Sequence, residues 1–258
     1  MNESMDGVKN IESVSLSSSV ENADVGLLPT LKNTSSHSNQ TFDWNDISAY
    51  RNANNVERYL EKVRHIGLGI VDFLLRNNLL YQEERTNNAV FPIHDEHNAI
   101  VGAELCGITS KPFKGVAGGG KYGYGLNVRF SESEDNTFDY ALFFESAIDL
   151  LSYIDYKVYH KDERFKNCLL VSMMGLKPNI LKHSLEVFAP DAKAVLCVDN
   201  DNAGRNFINK VDNLGIDYAL RLPDEKYKDW NEQIIDMKRY CNPIGRALER
   251  ARESLQIL

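Results

Sequence analysis

AVLCVDNDNAG, residues 194–204, carries an apolar run into two carboxylates and then a glycine. Ala194 to Val198 reads as a buried strand, because an unbroken apolar run leaves no polar face for solvent. Asp199 and Asp201 follow it, separated by one residue. Like charges that close raise each other's pKa and cost energy unless a cation lies between them. The stretch therefore raises the question of a metal site at the end of a strand. DNDNAG also has the oxygen spacing of a calcium loop, but that loop needs a glutamate at its twelfth position. Counted from Asp199, that position is Lys210. The calcium reading fails.

Outward from this stretch, apolar runs alternate with helical patterns. YALFF (140–144), CLLVSM (168–173) and DYALRL (217–222) read as further strands. SAIDLLSYI (146–154), PNILKHSLEVFA (178–189) and AGRNFINKVDNL (203–214) read as helices between them. Continuous apolar strands alternating with helices predict an α/β fold, a parallel sheet covered on both faces. Such a sheet gathers the C-terminal ends of its strands on one edge, where α/β proteins keep their sites. Glu145 follows the first strand and Asp149 lies one helical turn further on the same face. Asp229 comes shortly after the fourth strand. Glu145, Asp149, Asp199, Asp201 and Asp229 are thus expected on one rim, where hard oxygen ligands suit Mg²⁺ or Mn²⁺. Each acid also has a plainer reading. An aspartate after a strand commonly caps the next helix, and Asp149 taken alone is an exposed helical acid.

Composition narrows the setting. A 258-residue chain with 43% hydrophobic residues has room for a sizeable core. The net charge of -8 is no signature of a general nucleic-acid binder. Residues 1–45 hold two Lys/Arg against six Asp/Glu, which leaves 27 of 29 against 31 of 37 for the remainder. A local basic groove is compatible with that near balance. Cys106, Cys168, Cys197 and Cys241 form no CxxC pair, so neither a zinc ribbon nor a disulfide framework is expected. With no long apolar span and no secretory leader pattern, a cytoplasmic protein without membrane contact is expected.

Residues 1–42 are rich in Ser, Asn and Thr and are expected to be a disordered tail or linker. A smaller α+β subdomain is expected over 43–135, the parallel-sheet domain over 136–236 and a helical tail over 237–258. Within the subdomain the pattern suggests a helix from Ile47 to about Leu60, capped by Asn45 or Asp46, and closed at Gly67. A second helix is expected in GIVDFLLRNNLLYQ. Strands Ala89–Ile93 and Ile100–Leu105 flank a polar turn at 95–98. KGVAGGGKYGYGL reads as a glycine-dense loop. Lys111, Lys114, Lys121 and Arg129 surround it, and such a loop lets backbone approach phosphates closely. Tyr122 and Tyr124 are candidates for stacking on bases, against the plainer reading of a surface loop. His65, His94 and His97 lack metal-ligand spacing.

The combination of a strand-end glutamate with DxD after a later strand resembles the TOPRIM domain of bacterial primases, topoisomerases and some nucleases. FFESAIDLLSY is similar to the primase EGxxD segment, with Ser146 where glycine is usual. VDNDNAGR is similar to DxDxAGR through Gly204 and Arg205. LPDEKYKDWNE is similar to the segment ending in DPDE, with Asp229 and Glu232 retained and Asn231 in place of the second acid. Upstream, NAVFPIHDEHNAIVGAELCGI looks like the stretch that precedes the TOPRIM unit in primases. The likeness is greatest to TOPRIM proteins of plasmids and other mobile elements.

The resemblance implies a primase-like nucleotidyltransferase acting on single-stranded DNA and nucleotides, in the replication of a plasmid or mobile element. It implies Mg²⁺ or Mn²⁺ as cofactor, and a helicase or other replication protein as partner. Glu145, Asp199 and Asp201 would be catalytic, and with Asp149 and Asp229 would hold the metal. Arg205, at the helix start, would touch a phosphate, and Asn231 would weaken a second metal site. A TOPRIM nuclease and a non-catalytic DNA- or partner-binding module are the alternatives.

Overall fold

In the computed structural model the ten strands among the described residues fall into two five-stranded sheets. It describes residues 42–109, 113–118, 123–131, 137–161 and 167–241. The first sheet is an antiparallel meander of β1 (Ala49–Tyr50), β2 (Tyr81–Glu83), β3 (Ala89–His94), β4 (Ile100–Cys106) and β5 (Lys114–Gly118). Pro92 is tolerated in β3 because β2 pairs only with Ala89 and Val90, so the missing N–H breaks no ladder there. The Asp95 side chain accepts from the backbone of His97 and Ala99 and closes the turn between β3 and β4.

The second sheet has the order β10-β9-β7-β8-β6. β7 (Tyr140–Phe144), β8 (Cys168–Ser172), β9 (Lys193–Leu196) and β10 (Tyr218–Leu220) run parallel, as the alternation predicts. The edge strand β6 (Leu126–Phe130), which lies outside the alternating pattern, joins β8 antiparallel. Helices α3 (Ala147–Tyr159), α4 (Pro178–Val187), α5 (Asn202–Asp212) and α6 (Trp230–Cys241) complete this half.

Successive strand residues point to opposite faces, and both faces are covered. Leu142, Phe144, Leu170, Val195 and Cys197 pack under α3 with Leu150, Leu151 and Ile154. Phe143, Leu169, Val171, Leu196 and Val198 pack with Ile180 and Leu181 of α4 and Phe207 and Val211 of α5. Burial on both sides is the reason these strands read as unbroken apolar runs. The α3 core also takes in α1 (Asn54–Lys62) and α2 (Leu68–Arg76), through Leu60, Ile70 and Leu74.

Two local expectations are corrected. No helix runs from Ile47 to Leu60: a 3-10 turn at Trp44–Ile47 is followed by β1, and α1 begins only at Asn54. Its N-cap position, Ala53, has no capping side chain. The Gln82 carbonyl of β2 accepts from the Asn55 and Val56 N–H groups instead, a cap supplied from 26 residues away. The glycine-dense stretch is likewise no loop at its start, because Lys114–Gly118 pairs with β4 as β5.

Candidate functional site

The acidic site begins where β7 turns into α3. Glu145 follows β7, and Ser146 in extended conformation caps the helix by accepting from the Asp149 N–H. The same hydroxyl donates to the Asp149 carboxylate. Asp149 is therefore not an exposed helical acid, being only 5% exposed. Burial, then the neighbouring Asp229 charge, pushes its carboxyl up to about 7. Burial also raises the carboxyl of Glu145, with Lys114 partly opposing the rise.

Parallel pairing of β9 beside β7 brings the DND stretch to the same edge. Asp199 is buried there, and burial followed by the charges of Asp149, Glu145 and Asp229 pushes its carboxyl up to about 8. Asp201 has a different environment. Its Oδ1 caps α5, accepting from Ala203 N at 2.9 Å and Gly204 N at 3.0 Å, and the Gly204 bond holds it below the usual carboxylate range. Its Oδ2 lies 3.8 Å from Lys228 Nζ. The ordinary cap reading is thus met at Asp201, which still keeps one oxygen toward the rim.

Asp229 arrives through tertiary contact. Asn200 N donates to Lys228 O at 2.6 Å, joining the loop after β9 to the start of α6. Trp230 anchors that start by donating from Nε1 to Cys197 O at 3.1 Å, its ring edge-on to Tyr153. Asp229 Oδ1 accepts from Glu232 N, and Glu232 accepts from Lys228 N, so both acids tie the first turn of α6. The Lys228 ammonium is held above its ordinary value: burial opposes this, but Asp199, Asp201, Asp229 and Glu145 outweigh it.

Asn231, at the motif's second acid position, packs inward. The side chain, 3% exposed, donates from Nδ2 to Arg64 O at 2.8 Å and Ser152 Oγ at 2.9 Å. Its carbonyl accepts from Arg64 Nη1 at 3.2 Å. The residue locks α6 and α3 to the segment after α1, and the motif position alone does not reveal this.

Other expected contacts separate. Lys114 on β5 is exposed, and its charge acts on Glu145 and Asp149. Arg205 sits in the first turn of α5, donating to Asn202 Oδ1 at 2.8 Å. Arg129 lies over the Phe188 ring at 5.1 Å, and its charge acts on His94. Tyr124 is half-buried, donating from its hydroxyl to Glu96 at 2.7 Å with its ring in T-shaped contact with His183. Lys111, Lys121 and Tyr122 lie outside the described residues.

Two buried carboxylate oxygens at this rim, Glu145 Oε2 and Asp199 Oδ1, have no hydrogen-bond partner. Buried polar atoms are normally satisfied, and orphaned carboxylate oxygens beside other acids suit a cation. No group of three or more His, Cys, Asp or Glu among the described residues converges as a ready cation cage.

Sequence reasoning passed over Glu104, Lys177 and Lys228. Glu104 on β4 is buried, and burial pushes its carboxyl up against hydrogen bonds from Ser172 and Ala147. Burial lowers Lys177, with the Glu104 charge opposing. An acid in an otherwise apolar strand, GAELC (102–106), was the available signal.

Residues 142–234 match the Toprim-like family, the region that carries the acidic rim. Over those residues the chain is similar to Toprim-like proteins. Residues 58–136, ahead of that region, match a family described as protein of unknown function (DUF3991). The primase fragment of the bacteriophage T7 primase-helicase protein superposes with a TM-score of 0.53 at 13% identity, over 80% of this chain and 79% of that one. The Escherichia coli primase catalytic core aligns at 14% identity and a TM-score of 0.45, over 71% and 69%. An uncharacterized protein of Bacillus anthracis, pXO2-78, is 29% identical over 217 residues, 74% of this chain. The chain spans 59% of that relative's length. No helix among the described residues is long and apolar enough to cross a membrane.

Proposed function

We propose that this protein is a primase-like TOPRIM nucleotidyltransferase that joins nucleotides on single-stranded DNA with Mg²⁺ or Mn²⁺. The observation that carries the reading is the pair of orphaned buried oxygens, Glu145 Oε2 and Asp199 Oδ1, on neighbouring strand ends. Asp149, raised by burial and the Asp229 charge, and Asp199, raised by burial and the Asp149 charge, are groups that a nearby cation would favour. When bound, a divalent ion supplies charge neutralisation for the attacking and leaving oxygens of phosphoryl transfer.

The chain's own groups divide the remaining work. Glu145, with its carboxyl above the ordinary range, is suited to accept the proton of an attacking hydroxyl. Asp201 and Asp229 shape the rim while bracing the starts of α5 and α6. Lys228 and Lys114, whose charges both act on Glu145, offer cations for phosphate oxygens. Arg205, exposed at the start of α5, adds a further guanidinium for a phosphate. Work in plasmid or mobile-element replication, in the cytoplasm, beside a helicase or another replication protein, belongs to the same proposal. The pXO2-78 relative supports its plasmid part.

The test supplies single-stranded DNA, nucleotides and Mg²⁺ or Mn²⁺ to the wild type, Glu145→Ala and Asp199→Ala. Extended products that vanish in both variants are expected. Shortened DNA would instead establish a nuclease using the same acids. Unaltered DNA with every metal would leave binding as the function and overturn the synthetic reading.

A further inference from the structure

Glu104 stands on β4 of the first sheet, yet both of its carboxylate oxygens are used in the second half of the molecule. Oε1 accepts from Ala147 N at 2.9 Å, and Oε2 accepts from Ser172 Oγ at 2.6 Å. Ala147 is the first residue of α3, immediately after Ser146 and Glu145. Its N–H is one of the orphan donors of a helix start, which the Ser146 hydroxyl, engaged with Asp149, leaves open. Ser172 ends β8, and its hydroxyl also accepts from Met174 N at 3.3 Å. A third bond closes the arrangement, from Gly175 N to Glu145 O at 2.7 Å. The turn bearing Glu145 is therefore held against the turn after β8, with Glu104 bridging the two.

A buried carboxylate is an expensive way to fasten two turns, because it must be withdrawn from water. The helix N-terminus and two good donors offset that cost. β4 also pairs Glu104 with Val116 of β5, the strand that carries Lys114. One side chain thus connects the lysine strand to the acidic rim.

We propose that Glu104 is the positioning residue of the acidic site. Its bridge between Ala147 and Ser172 sets the turn that presents Glu145 and Asp149, and so sets how tightly the rim takes a divalent cation. The cation part rests on the reading given under Proposed function. Residues that orient metal ligands typically change metal affinity by about 10–100-fold when removed.

The test titrates Mn²⁺ into wild type, Glu104→Ala, Ser172→Ala and Glu104→Gln by electron paramagnetic resonance, with hydrogen exchange of residues 145–149 read in parallel. Glu104→Ala and Ser172→Ala should weaken Mn²⁺ by about tenfold or more and speed exchange at 145–149, with β9 still protected. Glu104→Gln, which can still accept from Ala147 and meet Ser172, should restore both readouts. If Glu104→Ala does not fold, Ser172→Ala carries the same comparison. Wild-type affinity and exchange in both truncations would overturn the proposal, as would a Gln variant as weak as the Ala variant. A wild type that binds no Mn²⁺ would overturn the cation reading alone, and exchange at 145–149 would then decide the positioning role.

Discussion

Gly204 faces the Asp199 carbonyl so closely that a Cβ on the glycine would lie 2.0 Å from that oxygen. The start of α5 is thereby seated on the backbone of the acid that ends the β9 loop. No flexible side chain can move aside, since the obstructing atom is main chain. Gly204→Ala should cost about 1–3 kcal/mol through overpacking and displace Asp199 from Asp201. Urea unfolding measures the first effect, and Mn²⁺ titration of the folded fraction the second.

The acids should make the cation-free protein lose stability as pH rises. Asp149 and Asp199 have carboxyls pushed up to about 7 and about 8, from ordinary values near 3.8. A group whose folded pKa is raised binds its proton more tightly in the folded state, so its stabilisation is complete below the unfolded pKa. It is lost as pH rises through the folded value. Thermal midpoints without divalent metal should therefore fall between about pH 4 and pH 8. Mg²⁺ should restore most of the loss at the upper end, because it takes the place of the protons. A midpoint that rises across this window would contradict the assignment.

Trp230 anchors the start of α6 on the end of β9, through the Cys197 carbonyl and the edge-on rings of Tyr153 and Tyr156. Trp230→Ala should destabilise by about 3–5 kcal/mol, as read by denaturant unfolding. Trp230→Phe should lose less, keeping most ring contacts while giving up one hydrogen bond. Both should loosen the Asn200–Lys228 contact, seen as faster exchange of the Asn200 amide.

Asn231 tests whether its motif position is a metal position. Asn231→Asp would restore an acid there but remove both Nδ2 donations, to Arg64 O and Ser152 Oγ. Leaving buried acceptors unmatched should cost about 1–3 kcal/mol, with no gain in Mn²⁺ affinity. A tighter metal site in this variant would show that the side chain turns toward the rim.

Lys114→Ala should weaken binding of single-stranded DNA without altering its sequence preference. One lost phosphate contact lowers the slope of log affinity against log salt by about 0.7 on single strands. Fluorescence anisotropy at several salt concentrations gives that slope, and an unchanged slope would remove Lys114 from the proposed interface.

What the sequence by itself determined was the alternation from Tyr140 onward and the delivery of its acids to strand ends. Burial on two faces forces unbroken apolar runs, and those runs end in Glu145 and in Asp199 whatever the rest of the chain does. The DxDxxG spacing carries its own local reason, since Asp201 caps α5 and Gly204 admits the Asp199 carbonyl. What only the tertiary structure decided are the contacts between residues far apart in sequence. Gln82 capping α1, Glu104 bridging 43 and 68 residues to Ala147 and Ser172, and Asn231 reaching 167 residues to Arg64 are of this kind. A helix start shows in sequence when its cap is a neighbour, as at Ser146. It is invisible when the partner arrives from another strand, because no periodicity or spacing records which buried donor a distant carboxylate or carboxamide will meet.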